Sequence, residues 1–299
     1  MIPIRDYNPT TRTPYVTIAL IAACILIFIW QMSLGERDGQ VMVYKLGFVP
    51  ALLFGDATLG ADGGLVPAWT TLFTSMFLHG SIMHLAGNML YLWIFGNNIE
   101  DVMGHGRFLV FYLVCGLAAA MAQAFPDMGS TIPMIGASGA ISGVLGAYLL
   151  LFPKAKVQVI IPIGFFIMRT LPAGWLLGLW IAFQVFSGIS AGIAGGGVAW
   201  WAHVGGFVAG MALVHLFKQK DIAPPLDPRN PVPREPANPV GRTRIPDSRS
   251  PGGGSPDGGS DDPPTGGPGS GPSDRNAGRP RSEPPPLPDR PTVQRRRDP

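Results

Sequence analysis

Apolar runs long enough to cross a bilayer alternate with short polar connections over the first 217 residues. A crossing helix needs roughly 20 mostly apolar residues. The first such run, Pro14–Met32, carries no charge. It follows Arg5 and Arg12, lacks a small-residue cleavage site and is longer than a typical leader core, so it reads as a retained span rather than a signal peptide. A loop of about 35 residues comes next, with the apolar patch Phe48–Phe54, and is expected in the membrane interface. Further spans are expected at Thr70–Phe95, Phe108–Phe125, Ile135–Phe152, Gly174–Ile193 and Ala199–Phe217. Between the fourth and fifth, Val157–Met168 is apolar but too short to cross and is punctuated by Pro162 and Gly164, which predicts an interfacial or re-entrant segment. The expectation is an all-α polytopic membrane protein, a six-helix bundle over residues 14–217 behind a short segment, 1–13.

Loop charges orient the bundle. With the amino terminus inside, the inner connections carry Arg107, Lys154, Lys156 and Arg169, and the chain leaves the last span into Lys218 and Lys220. The outer connections at 126–134 and 194–198 have no Lys or Arg. This positive-inside pattern predicts that both termini are cytoplasmic, and a short amino terminus without a transit peptide favours a bacterial plasma membrane.

Composition changes abruptly after Phe217. Residues 218–299 are dominated by Pro, Gly, Ser, Asp and Arg, too little apolar surface to offset the entropy of ordering, so a disordered tail is expected. Residues 1–217 hold eight Lys/Arg and eight Asp/Glu, so the whole net charge of +3 comes from the tail. Its arginines are interleaved with Asp, which gives no case for nucleic-acid binding. Cys24 and Cys115 both sit in apolar runs and read as buried thiols, with no metal-ligand spacing and no implied cofactor.

The chemistry is carried by a few polar residues at matching depth. Ser138, in Gly136-Ala137-Ser138-Gly139, lies just inside the outer end of the fourth span, and His203 lies similarly inside the sixth. Serine needs an adjacent base to act as a nucleophile, and histidine is the usual one. Gly139, Gly143 and Gly146 line one face of the fourth span; Ala202, Gly206 and Gly210 form a small-residue ridge on the sixth, with Gly205 beside it. Such residues let helices touch in lipid and would bring Ser138 to His203. On the second span His84 and Asn88, four apart, share a face and offer N–H donors suited to an oxyanion. His79 projects from another face and is given a structural role, and Ser142 reads as a packing or backbone-bonded hydroxyl.

Rival chemistries fit poorly. No Glu stands between histidines at metalloprotease spacing, and no pair of acids lies within the spans. Lys154 and Lys156 lie at the wrong end for a Ser–Lys pair, and Ala140 breaks the soluble hydrolase elbow. No acidic third member is visible near His203, which predicts a dyad.

The ordered set His79, His84 and Asn88, then Gly136-Ala137-Ser138-Gly139, then Ala202-His203-Val204-Gly205-Gly206 and Gly210 resembles the rhomboid family of intramembrane serine proteases. The opening Ile2-Pro3-Ile4-Arg5-Asp6-Tyr7-Asn8-Pro9 and the later Glu100, Gly104 and Arg107 extend the resemblance over residues 1–217. The resemblance implies Ser138 as nucleophile, His203 as base, and His84, Asn88 and a backbone N–H near Ser138 as the oxyanion site. It also implies a cavity open to the outer face, single-span membrane proteins as substrates, membrane lipid as surroundings and no cofactor. Two departures stand out. Ser142 occupies the position where many members carry an aromatic ring against the histidine, leaving Trp201, Trp180 or Phe183 as candidates to replace it. The first loop lacks the family's Trp-Arg pair. The alternative is a catalytically silent relative that binds membrane clients.

Overall fold

The computed structural model describes residues 1–55, 57–59, 65–163, 165–191, 198–219 and 293–295. The expectation of a disordered tail falls on residues outside this set, apart from 218–219 and 293–295. The described residues belong to one compact unit.

Among the described residues, four helices are long and apolar enough to cross a membrane: α1 (Tyr15–Ser33), α7 (His105–Ala124), α9 (Ala173–Ala191) and α10 (Trp200–Phe217). Their limits fall within three residues of the first, third, fifth and sixth predicted spans. The start of α1 has a specific cause. Glu100, 1% exposed, accepts from the Val16 amide (2.9 Å), the Thr17 amide (2.8 Å) and the Thr17 hydroxyl (2.7 Å), which satisfies the open amides of the first turn. The fourth predicted span is α8 (Ser138–Leu151), 14 residues or about 21 Å long.

The second predicted span is not one continuous helix. It runs through a 3₁₀ turn at Ala68–Thr70, α4 (Thr71–Thr74), a 3₁₀ turn at Ser75–Phe77, α5 (Ile82–Tyr91), a π-helical turn at Leu92–Gly96 and α6 (Asn97–Met103). The break at 78–81 comes from Ser81, which is extended (φ −164°) and whose hydroxyl accepts from the His84 amide at 3.1 Å. That is the N-cap role for which serine is favoured.

The all-α expectation needs correction. Val157–Met168, expected as an interfacial or re-entrant segment, belongs to a hairpin, β3 (Lys156–Ile163) and β4 (Phe165–Pro172), paired antiparallel. The N-terminal segment adds the third strand, β1 (Ile2–Asp6), against β3, with Ile2 opposite Ile160 and Asp6 opposite Val157. The cause is local: Lys156–Ile163 is rich in Val and Ile and alternates, with Val157 and Val159 fully buried and Gln158 and Ile160 less so.

The first loop is packed against the bundle. It forms α2 (Gly35–Leu46), α3 (Pro50–Phe54) and a short strand, β2 (Ala57–Leu59). Phe48 exchanges two backbone hydrogen bonds with Met134 (3.0 and 2.8 Å) and is fully buried against Ala120 and Ala124. A further strand, β5 (Val293–Arg295), pairs antiparallel with β2.

α10 packs on both α7 and α8, and glycine makes the closeness possible. A Cβ on Gly206 would run into the Gly139 carbonyl oxygen, and one on Gly210 into that of Gly143. Gly139 and Gly143 likewise leave no room for a Cβ against Ala119 and Cys115 of α7. The ridge of small residues therefore brings α7, α8 and α10 together with little side chain between their backbones.

Candidate active site

Ser138 is the first residue of α8. The chain enters it through Gly136, whose φ of +126° few other residues adopt and whose amide donates to the Ser75 carbonyl at 2.9 Å. A Cβ on Gly136 would lie 2.8 Å from the His84 ring, so glycine also admits that ring beside Ser138. His203 sits in the first turn of α10, where the neighbouring Ala202 amide donates to Gln123 Oε1 at 3.1 Å.

The glycine contacts between α8 and α10 set these two side chains together. His203 Nε2 lies 2.9 Å from Ser138 Oγ. On the other side of the ring, Nδ1 lies 2.7 Å from Gln184 Oε1 of α9. The ring is flanked by Trp180, at 5.9 Å between centroids and tilted, and by Trp200, at 6.4 Å and edge-on.

A cavity of about 820 Å³ opens over this pair, lined by Ser138, His203, His84, Asn88, Gln184 and Trp180 among others. Asn88 is 8% exposed, and its Nδ2 has no hydrogen-bond partner among the described residues. Gly80 N–H makes a long 3.5 Å contact with His84 Nδ1, an arrangement that leaves the ring proton on Nε2. A half-buried serine–histidine pair beside the partnerless Asn88 Nδ2 is chemically suited to acyl transfer.

Of the other histidines, His79 is 2% exposed and packs edge-on against His84 at 5.2 Å, with its backbone amide donating to Gln31 Oε1 at 3.1 Å. It holds α1 to the break before α5 and does not line the cavity. His105 contacts Glu100 at 2.6 Å and does not line the cavity. Among the described residues no three His, Cys, Asp or Glu side chains are grouped to hold a metal.

The family model described as the rhomboid domain matches residues 67–220, just over half of the chain. The chain belongs to the rhomboid family. With its long apolar helices, it is an integral membrane protein. Among curated relatives it is 36% identical over 145 residues to Rhomboid protease GluP of Bacillus subtilis, covering 48% of this chain and 26% of that one. It is 31% identical over 146 residues to Rhomboid protein 1, mitochondrial, of Saccharomyces cerevisiae, covering 46% and 38%. It is 29% identical over 209 residues to Rhomboid protease GlpG of Salmonella choleraesuis, covering 69% and 64%. The chain thus spans less than two thirds of the length of these relatives.

Ser142, where the family resemblance led to the expectation of an aromatic ring, is 1% exposed and its hydroxyl donates to the Ser138 carbonyl at 2.6 Å. Trp180 and Trp200 cover the histidine instead. Trp201 packs on Gly188 and Phe183 on Trp200, so of the three candidates named from the sequence only Trp180 reaches the ring. Gln184 is not singled out by the pattern of the sequence. Its one signal in the sequence is a large polar amide in the middle of an apolar span.

Proposed function

We propose that this rhomboid is an intramembrane serine endopeptidase acting through Ser138 and His203. The reading rests on the 2.9 Å approach of His203 Nε2 to Ser138 Oγ at the floor of the cavity. Ser138 Oγ attacks the scissile carbonyl carbon while its proton passes to His203 Nε2. The carbonyl oxygen becomes an oxyanion facing the Asn88 amide, the His84 Nε2–H and the Ser138 backbone N–H at the start of α8. Collapse breaks the C–N bond, and the imidazolium returns its proton to the leaving amine. Water then hydrolyses the Ser138 ester with His203 again as base. Gly136, Gly139, Gly143, Gly206 and Gly210 serve by letting these groups approach.

Single-span membrane proteins are the proposed substrates. A helix in lipid keeps its carbonyls in internal hydrogen bonds, so a segment that unwinds readily is the one that can enter the cavity. The proposed topology has six crossings: the four long helices, the shorter α8, and the broken run from α4 to α6. The end of the bundle that joins Arg12, Asp101 and Gln219 is the proposed cytoplasmic face, with both termini there, in a bacterial plasma membrane.

The test is cleavage of a tagged single-span reporter by purified protein in detergent, beside Ser138→Ala and His203→Ala. Loss of cutting in both variants is expected, with fluorophosphonate labelling of wild type and none of Ser138→Ala. Cleavage that survives Ser138→Ala, or folded wild type that neither cuts nor labels, overturns the reading.

A further inference from the structure

The His203 ring can accept the Ser138 proton only if Nε2 carries the lone pair, and a neutral imidazole has just one. Its proton must then sit on Nδ1, which needs an acceptor. Gln184 Oε1 lies 2.7 Å from Nδ1, and a carbonyl oxygen can accept but never donate. Gln184 is 4% exposed on α9, and one turn later Gly188 lets that helix approach Trp200 and Trp201 (3.3 and 3.4 Å from a Cβ placed there). Among the described residues no carboxylate hydrogen-bonds His203. A neutral acceptor also suits the place, since an ionised carboxylate there would have to be stripped of water.

We propose that Gln184 is a positioning residue that holds His203 in the Nδ1–H tautomer, making the site a Ser138–His203–Gln184 relay with an uncharged third member. The proposal rests on the serine-protease reading for its kinetic consequence, but not for its structural one. By accepting from Nδ1–H, Gln184 orients the ring toward Ser138 and steadies the imidazolium that forms in the first step.

Two replacements separate this role from simple packing. Gln184→Met keeps the volume and removes the acceptor; Gln184→Glu keeps an acceptor and adds charge. For Gln184→Met, kcat is expected to fall about 10- to 100-fold with KM little changed. For Gln184→Glu, cleavage persists and the acidic limb of kcat/KM moves up by about one pH unit. The second readout needs no activity: ¹⁵N NMR of histidine-labelled protein, with the His203 signals assigned by their loss in His203→Ala. Wild type is expected to show a protonated Nδ1 and an unprotonated Nε2, and Gln184→Met a mixture of tautomers.

A Met variant with wild-type kcat, pH profile and tautomer overturns the proposal, as does a wild-type ring protonated on Nε2. Wild type that cuts nothing but loses its tautomer preference in Gln184→Met would sink the protease reading and leave Gln184's role standing.

Discussion

The hydroxyl of Tyr148 donates to Asp6 Oδ2 at 2.9 Å, tying the N-terminal strand to the helix that begins at Ser138. Tyr148 is fully buried between Phe95 and Phe152, so the link joins the sheet to the core of the bundle. Burial pushes the Asp6 carboxyl up from 3.8 to about 6, against the smaller opposing pull of the Tyr148 hydrogen bond.

That shift has a sign. The folded protein holds the Asp6 proton more tightly than the unfolded chain does. The contribution to stability is therefore complete below about pH 4 and lost as pH rises through about 6. Asp6→Asn mimics the protonated form, so it is expected to match wild type at pH 4 and exceed it at pH 8 by about 1–2 kcal/mol, after a discount for partial exposure. Thermal unfolding in detergent at the two pH values reads this; a variant less stable than wild type at pH 8 contradicts it.

Gly206→Ala places a methyl against the Gly139 carbonyl, where backbone cannot move aside cheaply. A loss of about 1–3 kcal/mol is expected, together with slower fluorophosphonate labelling as α8 and α10 separate. Gly178→Ala on α9, with nothing within 4 Å, is the matched control and should be neutral or slightly stabilising. Equal melting temperatures for the two variants would remove the close-contact argument.

Glu100 supports the first turn of α1 with three accepted hydrogen bonds. Glu100→Ala strands two amides and a hydroxyl in a buried place and is expected to cost about 2–4 kcal/mol. Glu100→Gln, which keeps one acceptor oxygen, should lose less. Thermal melts of the pair would show the order, and equal losses would mean that volume rather than hydrogen bonding matters there.

If Trp180 takes over the role of the ring absent at Ser142, Trp180→Leu should lower kcat by about tenfold while the fold persists. Phe183→Leu is the comparison, since Phe183 is 56% exposed and meets Trp200 rather than His203. Steady-state cleavage of one reporter by both variants decides it.

Removal of residues 222–299 keeps Gln219, whose amide donates to the Val102 carbonyl at 3.0 Å and whose side chain accepts from Arg12. Reporter cleavage by the truncated protein is expected to equal that of the full chain. A large drop would instead give weight to the pairing of Ala57–Leu59 with Val293–Arg295.

Parts of this protein are written locally in its chain. The ends of α1, α7, α9 and α10 follow from uninterrupted apolar runs of membrane-spanning length, which no short-range alternative satisfies. The glycine ridge of α10 and its partner face on α8 were also legible, because small residues four apart must share a helical face. The Ser81 cap and the alternation of Lys156–Ile163 were equally local, yet both were hidden by an overall apolar composition that suggested continuous helix or interfacial segment.

The sequence by itself therefore determined the long helices, the order of the polar residues along them and the small residues where helices meet. Tertiary structure decided which of those polar residues touch. Ser138 and His203 are 65 positions apart, His203 and Gln184 are 19 apart, and Asp6 and Tyr148 are 142 apart. α9 is apolar nearly all round, so no local period marks Gln184 as the residue that faces α10. Only the packing of α9 on α10 selects that face, because a contact between helices depends on their relative rotation, which periodicity within one helix does not encode.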